Sequence, residues 1–189
     1  MSGVDLDAMS DPATLGLPAW HVTTPARRAH IARVTALLET WSQAMAVPAA
    51  EAVAWRDAGR WHDALRDAPP ADLLPWIDDA QMPGPIRHGP AAAARLEADG
   101  ETRPDVLEAI RWHTTGRRGW SRTAQALYMA DFLEPGRPFE RETRAAIAAR
   151  VPHDFVRALR DVVRDRLHWT LREGKALHVE TVALWNAIR

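Results

Sequence analysis

"GRWHDALRD", residues 59–67, closes a stretch of helical spacing and sets a histidine beside an aspartate, His62–Asp63. Such a pair is either a fragment of a metal site or a polar pair on a helix surface. With 8 His and 15 Asp in 189 residues, about 0.6 such dipeptides arise by chance. A second one, His153–Asp154, is present and serves as an internal control. The pair acquires meaning only from what the rest of the chain supplies.

The composition narrows the chemistry. A length of 189 residues suits one domain with a real core. The net charge of −1 gives no global basic field for nucleic-acid polymers. Cysteine is absent, which removes disulfides, thiolate nucleophiles and Cys-ligated zinc or iron–sulfur sites. Any metal must be held by imidazole and carboxylate. No apolar run reaches the roughly 18 residues of a membrane span. The acidic start "MSGVDLDAMSDPATLG" lacks the basic and apolar regions of a secretory signal, so a cytoplasmic location and no membrane partner are expected.

Residues 1–24 carry Pro, Gly and Asp with little periodicity and read as a loose N-terminal extension to a domain over 25–189. From Pro25, Ile31, Val34, Leu37, Leu38, Trp41 and Met45 form one helical stripe. A second helix runs from about Ala49 to His62. The proline-rich stretch 68–90 reads as turns, short helices and loop. Helical patterns resume in "GPAAAARLEA", in "RPDVLEAIRWH" and in "SRTAQALYMADFLE", where Ser121 suits an N-cap. Residues 139–150, 153–172 and 178–188 give three more. No strand alternation or internal repeat is found. The expectation is an all-α domain of about seven or eight helices, with most of the nine Trp in the core.

Ligand-type residues fall near the helix ends. His30 lies early in the first long helix, His62–Asp63 ends the second, and His88 precedes the fourth. His113 ends the fifth, and Asp131 lies late in the sixth. A bundle that gathers those ends makes a His/Asp cluster of the kind that holds iron, manganese or zinc. Each histidine taken singly is more often a surface or satisfied core residue. His21 and His168 are read as structural, and Asp154 as a residue at the positive end of a helix dipole.

The ordered set H, HD, H, H, D resembles the HD-domain metal-dependent phosphohydrolases. The words "RRAH", "WHDALRD", "IRHGPAAA", "AIRWHTTGRRGWS", "LYMADFLEPGRPF" and "GKALHVETVALWN" resemble the YqeK-type branch, whose members are symmetrical diadenosine tetraphosphate hydrolases. The resemblance runs from about Arg27 to Asn186. It implies an HD-domain helical bundle with a metal, iron, on His30, His62, Asp63 and Asp131; manganese or another divalent ion is the alternative. It places His88, His113 and Thr114 around the nucleotide and its phosphates, with Arg137, His178 and Thr181 as further contacts. Other HD-domain enzymes use the histidines equivalent to His88 and His113 for a second metal, so both roles stay open. His153–Asp154 matches nothing. Where the family usually has lysine this chain has Arg66, which keeps the charge but changes the donor geometry.

The activity so implied is hydrolysis of the central linkage to two ADP, with a metal-activated water. Asp63 binds the metal and orients the water, Arg66 offsets phosphate charge, and His113 or His88, if not a ligand, protonates the departing ADP. Arg117, Arg118 and Arg122 of "GRRGWSR" read as a solvated loop or as phosphate contacts. Two other readings remain: an HD-domain phosphohydrolase of another nucleotide or phosphate ester, and a non-catalytic nucleotide-binding protein. The expected partner is a small nucleotide; the Trp-rich helices supply either core or a homodimer interface.

Overall fold

The computed structural model describes residues 11–189, and none of them lies in a strand. The helices are α1 (Pro12–Leu15), α2 (Pro25–Ala44), α3 (Ala49–Trp61), α4 (Pro70–Leu73), α5 (His88–Ala98), α6 (Pro104–Trp112), α7 (Arg122–Leu133), α8 (Arg141–Arg150), α9 (Phe155–Arg172) and α10 (Val179–Ile188). Apart from the four-residue α1 and α4, these are the eight helices the hydrophobic spacing predicts. Short 3-10 turns at Leu74–Trp76 and Gly84–Ile86 occupy the proline-rich stretch. No described helix is long and apolar enough to cross a membrane.

Local chemistry sets the helix starts. Thr24 caps α2, its hydroxyl accepting from the Arg27 amide, and Pro25 fills the first turn, where a missing N–H costs nothing. Ser121 caps α7 by accepting from the Ala124 amide. Asp154 caps α9 by accepting from the Arg157 amide, so the control dipeptide His153–Asp154 is a helix start, as expected.

Around the central α3, α6 and α7, α2 packs on α3 and α7, and α5 packs on α6. Helices α8 and α9 pack on α7 and on each other, and α10 packs on α9. Two glycines permit the closest approaches. A Cβ on Gly59 would meet Leu38 Cδ1 at 2.8 Å, so its absence lets α3 lie against α2. A Cβ on Gly89 would meet the Ile110 carbonyl oxygen at 2.8 Å and His113 Cε1 at 3.2 Å. The second contact brings the start of α5 against the end of α6, and with it His88 against His113.

Two expectations change. The described part of the N-terminal segment, 11–24, is tied down rather than loose. Leu15 is buried, the Trp61 indole donates to the Gly16 carbonyl, and Trp20 donates to Asp99. The Val22 amide donates to Ala64 O at 2.8 Å. A single buried leucine and main-chain bonds leave no periodic trace, which is why the sequence reads as loose. Residues 1–10 lie outside the described residues. Of the tryptophans, Trp41, Trp55 and Trp120 are core; Trp20, Trp61, Trp76, Trp112 and Trp185 are half-buried at its rim, and Trp169 is exposed.

Candidate metal centre

The helix ends converge. His30, in the second turn of α2, His62 and Asp63 after α3, His88 at the start of α5, His113 after α6 and Asp131 late in α7 are all buried. Two groups of ligand atoms form, His30/His62/Asp63 and Asp63/His88/His113, each with its atoms within 4.8 Å of one another. Asp63 belongs to both. Its Oδ2 lies 3.7 Å from His30 Nε2 and 3.5 Å from His62 Nε2. Its Oδ1 lies 3.2 Å from His88 Nε2 and 3.4 Å from His113 Nε2. Asp131 joins the first group, Oδ1 standing 3.2 Å from His30 Nε2.

The rings are fixed from behind. His62 Nδ1 donates to Gly59 O at 2.8 Å, and His113 Nδ1 donates to Ile110 O at 2.7 Å. His30 Nδ1 lies 3.2 Å from Glu134 Oε1. Such acceptors hold the proton on Nδ1 and turn the Nε2 lone pair inward, the tautomer a metal requires. His88 and His113 bring their Nε2 atoms to 2.9 Å. Two inward lone pairs at that separation repel unless a proton or a cation lies between them. His88 Nδ1 is buried without a hydrogen-bond partner among the described residues. Converging imidazole nitrogens around a shared carboxylate therefore fit a divalent cation, and the donor set matches iron, manganese or zinc.

The electrostatics divide the histidines. Burial pushes the His62 pKa down to about 4, leaving the neutral ring that binds metals. Burial likewise lowers His88. For His30 burial acts the same way, but the Asp131 and Glu134 carboxylates outweigh it and raise the pKa to about 9. Burial alone would raise Asp63, yet the surrounding histidines hold it well below the usual carboxylate range. Asp131 is lowered too, against its burial, chiefly by Arg137 and His30.

Around this core stand residues to which the sequence reading attaches no role; of them only Glu134 lies within the quoted words. Glu134 receives Arg33 Nε at 2.5 Å and the Gly136 amide at 2.7 Å, besides facing His30. Against its burial, these contacts lower its pKa to about 2. Its spacing three residues after Asp131, in "ADFLEPGR", is the signal that could have found it. Arg144 is buried and donates to the carbonyls of Phe132, Glu134, Arg137 and Phe139, tying the turn that carries Arg137. Arg166, reaching in from α9, lies 3.6 Å from Asp131 Oδ2.

The expected substrate contacts are placed as follows. Arg137 Nη2 is 2.6 Å from Asp131 Oδ1. Thr114 Oγ1 is 3.2 Å from His113 Nε2. Thr114 also lines a cavity of about 310 Å³ with Ile86, Trp112, Leu177 and His178. Arg66 is exposed, its guanidinium 3.5 Å from the Pro85 carbonyl. Thr181 is not in that cavity; its hydroxyl donates to Thr115 O at 2.7 Å and so docks α10. Arg117 lies over Trp112 and pairs with Glu108, and Arg122 lies over Trp55 and pairs with Glu51.

The fold has a counterpart among solved structures. A crystal structure from Clostridium acetobutylicum, described as a predicted HD superfamily hydrolase involved in NAD metabolism, superposes with a TM-score of 0.75. The match has 22% identity and covers 99% of this chain and 98% of that one. No family model matches the sequence. Among curated proteins, the chain is similar to three named symmetrical bis(5'-nucleosyl)-tetraphosphatase. The Bacillus subtilis (strain 168) protein is 25% identical over 137 residues, 68% of this chain and 73% of the relative. The Halalkalibacterium halodurans protein is 28% identical over 104 residues, 54% of each. The Staphylococcus aureus protein is 45% identical over 53 residues, which span 28% of this chain and 27% of the relative.

Proposed function

We propose that the protein is a metal-dependent phosphohydrolase that splits diadenosine tetraphosphate at its central linkage into two ADP. The observation that carries the reading is the position of Asp63, one carboxylate shared by two pairs of buried histidines. The similarity to three symmetrical tetraphosphatases supports the substrate.

His30, His62, Asp63 and Asp131 would hold the first cation, which we take to be iron. The second group favours a further divalent ion on Asp63, His88 and His113 over a purely phosphate-binding role for the two histidines. A cation held here lowers the pKa of a bound water toward neutrality and polarises a phosphoryl oxygen. The protein supplies the rest. Asp63, fixed between the two histidine pairs, would hold the cation and orient the attacking water. The water oxygen bonds to one central phosphorus, the bridging oxygen leaves on the other ADP, and the water proton passes to solvent. Arg137, Arg166 and Arg66 offset the charge that builds on the phosphates. Thr114 marks the edge of the cavity where one adenosine rests, between Trp112 and His178. No protein nucleophile takes part.

The test pairs metal analysis with product identification on diadenosine tetraphosphate, wild type beside Asp63→Ala. Bound metal, ADP as the sole nucleotide product and loss of both in the variant support the proposal. Release of AMP with ATP, or phosphate release from mononucleotides only, would refute the symmetrical reading and keep the metal centre.

A further inference from the structure

Arg27 lies in the first turn of α2, on the same helix as His30. Its Nη1 donates to Asp63 Oδ2 at 2.7 Å, the oxygen that faces His30 and His62. Its Nε is buried with no hydrogen-bond partner among the described residues, and Asp67 Oδ1 lies 3.7 Å from it. A guanidinium offers five N–H donors, and Nη1 to Asp63 is the only side-chain hydrogen bond Arg27 makes among the described residues. About a quarter of the side chain is open to solvent.

Its neighbours show what a structural arginine looks like in this protein. Arg144 spends its donors on four main-chain carbonyls and is buried. Arg33 turns both Nε and Nη2 onto Glu134. Arg27 instead keeps donors in reserve, and it is aimed. Asp67 Oδ2 accepts from the Thr24 amide at 2.8 Å and from its hydroxyl at 2.9 Å. That leaves Oδ1 turned to Arg27. The same Thr24 hydroxyl accepts from the Arg27 amide at 3.3 Å. Helix cap, acid and arginine form one closed unit.

We infer that Arg27 is a substrate-binding residue that grips the phosphate chain beside the scissile linkage, with Asp67 as its positioning residue. This rests on the reading that a nucleotide phosphate chain is drawn to the centre. Once Asp63 is committed to cations, its hold on Arg27 weakens. A phosphate oxygen then offers the planar fork a better acceptor at the same mouth. Arg137 stands against Asp131 as Arg27 stands against Asp63. A chain with two equivalent halves, laid across the two carboxylates, thus meets a guanidinium on either side.

The experiment is equilibrium binding of ADP and of AMP to the metal-loaded full chain, with metal content measured in parallel. Wild type is set beside Arg27→Ala, Arg27→Lys and Asp67→Asn. Losing a contact to a charged group weakens ADP binding at least about tenfold in Arg27→Ala and changes AMP by less than about threefold. Metal content and melting temperature stay at the wild-type values. Arg27→Lys recovers part of the loss, and Asp67→Asn falls between. Equal weakening of both nucleotides, loss of metal, unchanged ADP binding, or no ADP binding by wild type overturns the assignment. Because the readout is binding, wild type that binds ADP but fails to cleave diadenosine tetraphosphate would sink the proposed activity and leave this result standing.

Discussion

Glu134 Oε1 stands 3.2 Å from His30 Nδ1, so the carboxylate that follows α7 holds the ring carried by α2. The same carboxylate is gripped by Arg33 and by the Gly136 amide. A ligand ring is only as well oriented as the acceptor behind it. Glu134→Gln is expected to weaken metal affinity about 10–100-fold, measured by competition with a chromophoric chelator. Unchanged affinity would mean that packing alone orients His30.

Asp63 is the only carboxylate common to both ligand groups. Asp63→Asn is therefore expected to abolish metal retention at both, and with it turnover, while far-ultraviolet circular dichroism keeps the all-helical signature. Retention of one equivalent of metal would show that the groups bind independently.

Metal removal carries a stability prediction. A ligand at a hundredfold excess over its Kd adds about 2.7 kcal/mol to the folded state. For a chain of this size that raises Tm by about 5–10 °C. Calorimetry of the chelator-treated and reloaded protein checks it, and coincident melting curves would speak against a site present only in the folded chain.

Gly89 separates the two groups experimentally. A Cβ there would push on the Ile110 and Arg111 carbonyls, which as main chain cannot yield easily, and on the His113 ring. Gly89→Ala is expected to destabilise by about 1–3 kcal/mol and to lower metal stoichiometry at His88/His113 more than at His30/His62. Denaturant titration and metal counting read the two effects separately.

Arg144→Met tests the turn that carries Arg137. It strands the Phe132 and Glu134 carbonyls, both of which Arg144 serves. Leaving buried acceptors unpaired costs about 1–3 kcal/mol each, so a loss of about 2–4 kcal/mol is expected. A loss under about 0.5 kcal/mol, the range of a surface change, would show that the turn holds without it.

Much of this was legible because helices advertise themselves. Ile31, Val34, Leu38 and Trp41 sit on one buried stripe, and the caps at Ser121 and Asp154 fall where the chain changes period. The ligand-type residues were legible because each lies close to a helix end in a chain without thiols. What stayed hidden depends on contacts between distant segments. Arg27 was an ordinary basic residue until folding set it against Asp63. Arg144 was one charge in an exposed-looking helix until the Phe132–Phe139 turn wrapped around it. The hydrogen bond by which the Thr181 hydroxyl donates to the Thr115 carbonyl likewise joins segments far apart in the chain.

The six candidate ligands come from five joints of the bundle. Position 30 belongs to α2, 62 and 63 follow α3, 88 opens α5, 113 follows α6 and 131 lies in α7. An ion clasping those points would knot together five stretches of one chain, closing loops that extend from residue 30 to residue 131. In a polypeptide that contains no cysteine, that clasp is the nearest counterpart of a disulfide: it shrinks the freedom of the unfolded chain. Unlike a disulfide it opens without a reductant, so the cross-linking of this bundle would rise and fall with the supply of the cation.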